Sequence, residues 1–325
     1  FHAHVLFGRQ LVPGGYLAVD LFFLMSGFVI AHAYDGKLRD GLGVGSFTVM
    51  RLIRFAPFYY VGVMIGLGLE LLLSATGSSS ALANQDLAWA LVLGLLFLPF
   101  ARVGHDMFPL NVPAWSLHHE LVVNVAYAVL HRWLTTRVLA GIGVVFALIL
   151  VPGVLLMGSA AVGPLTEHYP LALSRAVFSF TVGVIVYRVR PCAVVNPTVA
   201  LVLATALLFV DVTGVGRAVF DAACILIVFP VLLPSLVAFE PRTGRVQTLS
   251  KWFGDLSYGL YALHYPLIWL VRGAGEKFGV NLAVAGGLLI VGLACSCGLL
   301  ETRVELPLRR RLTRLLTPPS RSTRG

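Results

Sequence analysis

The side chains that could do chemistry are few, and each stands in or against apolar sequence. Arg51 and Arg54 lie three apart in "SFTVMRLIRFAPFYYVG", at the mouth of a long apolar run. At i, i+3 two guanidinium forks share a helix face and make a receptor for phosphates. Basic anchoring of a span at the membrane edge would use the same two residues. His2 and His4 lie in the opening "FHAHVLF", and His264 lies in "SYGLYALHYPLIW". An imidazole with its ordinary pKa of ~6.5 is the usual base for taking a proton from a hydroxyl. A lone histidine in a span is most often a packed, hydrogen-bonded one. Asp20 sits at the start of "GGYLAVDLFFLMSGFVIAHAY", and an acid in or near a bilayer faces a cavity or a partner. In "NVPAWSLHHELVVNVAY", helical spacing puts Ser116 and Glu120 on one face, Trp115 near the helix start, and His118 and His119 elsewhere. "HHE" lacks the i, i+4 histidine pair of a zinc helix, so no metal is expected there. The small pair Ser26-Gly27 reads first as close helix packing. Together the histidines, the acid and the arginine pair are more polar groups than packing needs, and their natural home is a wet cavity between helices.

The elements that must position these groups are membrane helices. Of 325 residues, 58% are hydrophobic and 12% charged, with mean hydropathy +0.87. A solvated surface is hard to build from that balance. Apolar segments run roughly 1–7, 16–34, 55–74, 86–101, 115–131, 138–157, 171–187, 197–211, 217–238, 256–271 and 281–301. Most are long enough to cross a ~30 Å hydrocarbon core. The net charge of +9 reads as topology rather than nucleic-acid binding, because the basic residues sit between apolar segments and in the tail "PLRRRLTRLLTPPSRSTRG". If 86–101 dips in or lies along the surface while the others cross, ten spans remain and both ends are cytoplasmic. That arrangement puts 18 of the 24 Lys and Arg inside and 5 outside. The "FLPF" ending of 86–101 suits a re-entrant segment. The expected fold is an all-α polytopic bundle of about ten spans, the first truncated, since the chain opens on Phe partway through an apolar stretch. No signal peptide, separate soluble domain or repeat is visible. Cys192, Cys224, Cys295 and Cys297 form no CxxC pair, so neither a disulfide framework nor a zinc site is suggested.

Five blocks in order resemble the membrane acyltransferase 3 family. "GGYLAVDLFFLMSGFVIAHAY" is similar to its G-x-x-x-V-D-x-F-F-x-x-S-G-F block, "RLIRFAPFY" to its R-x-x-R followed by Pro, and "PAWSLHHE" to its W-S-L-x-x-E. "FGDLSYGLYALHYPL" resembles its S-Y-x-x-Y-x-x-H-x-P-L, and "VELPLRRRL" its closing E-x-P-x-R. The resemblance covers nearly the whole chain: 1–308 as the membrane acyltransferase domain and 309–325 as a basic cytoplasmic tail. It implies O-acylation of a hydroxyl on a surface polysaccharide, lipopolysaccharide or related glycan. The place is the bacterial inner membrane, with acyl-CoA as co-substrate and no bound cofactor. By position, His2 matches the family's essential histidine, with His4 the runner-up. Arg51 and Arg54 would hold the phosphates of the acyl-CoA. Glu120 joins His2 as a catalytic candidate. Asp20, Ser26, Trp115, Ser116, Tyr258, Tyr261, His264 and Glu305 fall in the matching motifs as lining or supporting residues. The arginine that the family carries upstream of its histidine has no counterpart here. Direct transfer and a covalent acyl-enzyme both remain open. So does the acceptor, which loop shape would choose.

A transporter or flippase would also use a polar cavity, but it predicts matched halves with interrupted helices, and none is visible. A purely structural membrane protein leaves the buried charges unexplained.

Overall fold

The computed structural model describes residues 2, 4–78, 81–238, 244–300, 303, 306–308 and 311–312. Glu305 and most of the 309–325 tail lie outside the described residues. Among those described the chain is helical, with no strand and one isolated bridge, Asp106 to Leu165. In order the helices are α1 (His4–Phe7), α2 (Ala18–Arg39), α3 (Val44–Ala75), α4 (Asn84–Leu95), α5 (Ala114–Leu130), α6 (Thr136–Met157), α7 (Tyr169–Val189), α8 (Pro197–Leu207), α9 (Val215–Ala223), α10 (Phe229–Val237), α11 (Gly244–Phe278) and α12 (Leu282–Leu300). A π turn, Cys224–Val228, joins α9 to α10.

Among the described residues, six stretches are long and apolar enough to cross a membrane: Gly15–Arg39, Val44–Ala75, Thr136–Met157, Thr166–Val189, Val215–Val237 and Leu282–Leu300. The expected count of about ten is not reached by that measure. α5 has 17 residues and α8 only 11, while α11 is long but carries Tyr258, Tyr261 and His264 on its apolar half. α4 has 12 residues, about 18 Å of rise, well short of a ~30 Å core. Tyr59 and Tyr60 donate hydroxyl protons to the carbonyls of Gly94 and Leu95 at its end, at 2.6 and 2.9 Å. The chain then turns back and buries Phe97, Phe100, Met107 and Phe108.

α3 starts 11 residues before the apolar run of 55–74, so Arg51 and Arg54 lie two to three turns inside a helix. At 32 residues it is about 48 Å long, longer than the hydrocarbon is thick, and its polar first turns can extend beyond it.

α2 and α7 pack face to face at the centre. A Cβ on Gly27 would lie 2.0 Å from the Phe180 carbonyl oxygen, and one on Gly183 would lie 2.0 Å from that of Leu24. Backbone meets backbone there, which is what small residues allow between membrane helices. Gly27→Leu is expected to force the pair apart, costing about 1–3 kcal/mol or more of stability. Thermal unfolding in detergent would register it as a lowered melting temperature. α11 reaches α3 in a similar way: a Cβ on Gly62 would stand 2.5 Å from the Ala262 carbonyl oxygen. Asn111 fixes the same spot by donating to that oxygen at 2.9 Å.

Candidate active site

Two of the helices that fall short of span criteria, α5 and α11, carry most of the candidate site. On α5, Ser116, Glu120 and Asn124 repeat every four residues, so they stack along one face at about 6 Å per step. All three are buried. On α11, Tyr258, Tyr261 and His264 repeat every three residues and climb about 9 Å along the axis.

Glu120 is the hub. Its Oε1 accepts from Ser26 Oγ at 2.7 Å and from an Arg51 Nη at 2.9 Å. Three helices, α2, α3 and α5, therefore meet on one carboxylate oxygen. The expected small pair divides its work: Gly27 serves the α2–α7 contact, and Ser26 serves Glu120. Glu120 Oε2 and Arg51 Nε are buried without a hydrogen-bond partner among the described residues, as are both amide atoms of Asn124 one turn along. Buried polar atoms are costly to leave unmatched, so this level of the bundle suits a polar ligand or water.

The arginines do not form a single fork. Arg51 turns toward α5 and Glu120, with its guanidinium 5.0 Å from the Phe55 ring. Arg54 turns toward α11 and lies 5.2 Å over the Tyr258 ring. Tyr258 in turn donates to the Phe55 carbonyl, tying α11 to α3 between them.

One turn further along α11, Tyr261 and Ser116 share a 2.5 Å hydroxyl contact, and Tyr261 also donates to the Pro113 carbonyl at 2.7 Å. Tyr261 stacks on Phe22. The next turn brings His264, whose ring centre lies 5.9 Å from that of Tyr261 and 5.4 Å from that of His2. His2 also meets the edge of Tyr265 at 5.0 Å. His4 is exposed, so the two opening histidines are unequal and His2 is the one placed against α11. His264 Nδ1 faces the carbonyl oxygens of Leu260 and Tyr261 at 3.1 and 2.8 Å. Carbonyls accept, so this nitrogen carries the proton and Nε2 keeps the lone pair.

Asp20 stands apart from this column. It forms a bidentate pair with Arg175 of α7, at 3.0 and 2.5 Å. Arg175 also donates to the carbonyls of Val162 (2.5 Å) and Tyr16 (3.3 Å), and its guanidinium lies 5.8 Å over the Trp115 ring. The acid has a partner rather than an opening, and through Arg175 it supports the start of α5. Arg175 was legible as the one charge inside "LALSRAVFSF", but nothing local names its partner 155 residues away. Asn124 was missed as well, its signal being its four-residue spacing from Glu120. His118 and His119 face the Phe97 carbonyl, the Trp115 carbonyl and Tyr169, away from Glu120.

The relatives bear on what this arrangement does. Acyltransferase MdmB of Streptomyces mycarofaciens is 28% identical across 92% of this chain and 82% of its own length. Exopolysaccharide production protein ExoZ of Rhizobium meliloti (strain 1021) is 28% identical across 96% of this chain and 94% of its own. "Protein 2 in picA locus" of Rhizobium radiobacter is 42% identical over 41% of this chain and 72% of its own length. No solved structure matches. The model of the acyltransferase domain of the acyltransferase 3 type matches residues 1–301, so the chain belongs to the acyltransferase 3 family and is a multi-pass membrane enzyme transferring acyl groups other than aminoacyl groups.

Proposed function

We propose that the enzyme moves an acyl group, acetyl in the simplest case, from cytoplasmic acyl-CoA to a hydroxyl of a carbohydrate or glycolipid. The observation that carries this reading is the column on α11. Tyr258, Tyr261 and His264 run from the level of Arg54 to that of His2, beside the Ser116–Glu120 face of α5. A phosphate grip at one end and an imidazole about 9 Å along the axis suit a substrate held by its nucleotide and reacting at its far end. His2 takes the proton of the acceptor hydroxyl as that oxygen attacks the thioester carbonyl. The carbon–sulfur bond then breaks and CoA leaves as the thiolate, which recovers a proton. The His264 ring packs against that of His2, centre to centre at 5.4 Å, and holds the base in orientation, as the third member of a nucleophile–base–orienter set does. Glu120 keeps Arg51 in place and would line the path of the thioester. A glycan acceptor draws support from the name of the Rhizobium meliloti relative.

Ten spans follow if α1, α5, α8 and α11 belong with the six long apolar stretches and α4 does not cross. Both ends are then cytoplasmic and the arginines face the acyl-CoA pool of a bacterial inner membrane.

The test is labelled acetyl-CoA with detergent-solubilised protein and glycan or lipid acceptors. Arg54→Gln removes one guanidinium without uncovering Glu120. A charge-assisted contact contributes about 1.5–3 kcal/mol, so the KM for acetyl-CoA should rise roughly 10–100-fold with a smaller change in kcat. An unchanged KM in both Arg51→Gln and Arg54→Gln would refute the assigned grip. Thioester consumption absent with every acceptor tried would defeat the acetyl-CoA reading itself.

A further inference from the structure

A second polar site lies beyond Glu120, away from His2. Following α5 from Glu120 to His131 covers about 16 Å and ends at a cleft of about 540 Å³. There the C-terminal ends of α2, α5 and α7 meet the N-terminus of α6. Arg39, Arg132 and Arg188 line the cleft with His131, Thr135 and Thr136. One carboxylate sits among them. Asp35 pairs with Arg39 and with Arg188 (3.1 Å) and accepts from Tyr127 at 2.6 Å. Three arginines against one aspartate leave two positive charges. Arg132 is exposed and has no ion pair among the described residues. Thr136 is the first residue of a 22-residue helix whose positive dipole end favours an anion, while the negative ends of α2, α5 and α7 oppose one, so the attraction comes from the arginine side chains. The chemistry is that of a phosphate socket.

The rim decides which phosphate. Trp133 is 66% exposed, and Leu130, Val138 and Val189 are also exposed around the same helix ends. A tryptophan beside aliphatics at the end of membrane helices marks the headgroup level of a bilayer. A soluble nucleotide gains nothing from such a rim, whereas a lipid has tails to lay along it. Basic pockets between helices at the cytoplasmic level are where anionic headgroups are held.

We propose that this cleft binds the phosphate headgroup of an anionic phospholipid, with the acyl chains against the exposed flank of α5 to α7. The site is distinct from the Arg51–Arg54 grip and does not rest on the acyl-CoA reading. The experiment uses the full chain purified from membranes and challenged with phosphatidylglycerol and phosphatidylcholine, with bound lipid counted by native mass spectrometry. Phosphatidylglycerol should be retained in preference. R132Q should lower its retention about 5-fold, and R39Q with R132Q about 25-fold. R132Q breaks no ion pair, so it reports even if the double variant fails to fold. R102Q, which removes an arginine paired with Asp86 elsewhere, should leave retention unchanged. Equal retention of the two lipids, or unchanged retention in R132Q, overturns the proposal. Displacement of the lipid by millimolar inorganic phosphate does so too, since it assigns the cleft to a soluble anion.

Discussion

His2→Ala is expected to lower acyl transfer by about 10²–10⁴-fold while the protein still inserts and stays monodisperse. The range is what a positioned general base contributes. Little structural loss accompanies the change, because His2 lies outside the long helices and meets α11 through ring contacts with His264 and Tyr265. His4→Ala should leave the rate essentially unchanged, since that side chain is exposed. His264 is a positioning residue and needs a different readout. If it holds the base, His264→Gln should move the pH–rate profile as well as lower kcat. If it only packs, the amount of active enzyme falls and the profile stays where it was. Full activity in His2→Ala would remove the imidazole from the mechanism, whatever the arginine variants do.

The sequence disclosed the class of fold and the polar residues, but not which of them touch. Apolar length marks spans well when the helix faces lipid, as in α6 and α12. It marks α2 and α3 although they carry candidate residues, but not α5 and α11. α5 gives up apolar positions to Ser116, His118, His119, Glu120 and Asn124, and α11 to two tyrosines and a histidine. Helical period placed Ser116 and Glu120 on one face, because i and i+4 are set by local geometry. The same rule put Arg51 and Arg54 together, and tertiary contacts then drew them to different helices, one to Glu120 and one over Tyr258. Partners such as Ser26 for Glu120 or Arg175 for Asp20 are fixed by the packing of α2 against α5 and α7. No pattern within either segment encodes that packing. Local punctuation did better at 86–101, where the chain leaves the 12-residue α4 and turns back through "FLPF".

The Asp20–Arg175 pair carries the second large expectation, and it links stability to the site. Both side chains are essentially unexposed, at 1% and 0%. Removing one partner leaves the other charge uncompensated in a low-dielectric interior, so Asp20→Ala or Arg175→Ala should each cost about 3–5 kcal/mol. Asp20→Leu combined with Arg175→Met should be far less damaging than the sum, because the charge and its desolvation cost disappear together. Melting temperature and detergent-extracted yield measure this double-mutant cycle, and wild-type stability in either single variant would defeat it. Activity then separates two roles. Arg175 also holds the Val162 and Tyr16 carbonyls and lies over Trp115, one residue before Ser116 and five before Glu120. If the pair only joins α2 to α7, the apolar double variant regains transfer along with stability. If the guanidinium sets the start of α5, the double variant folds but transfers slowly, because Ser116 and Glu120 have lost their register against Tyr261 and Arg51.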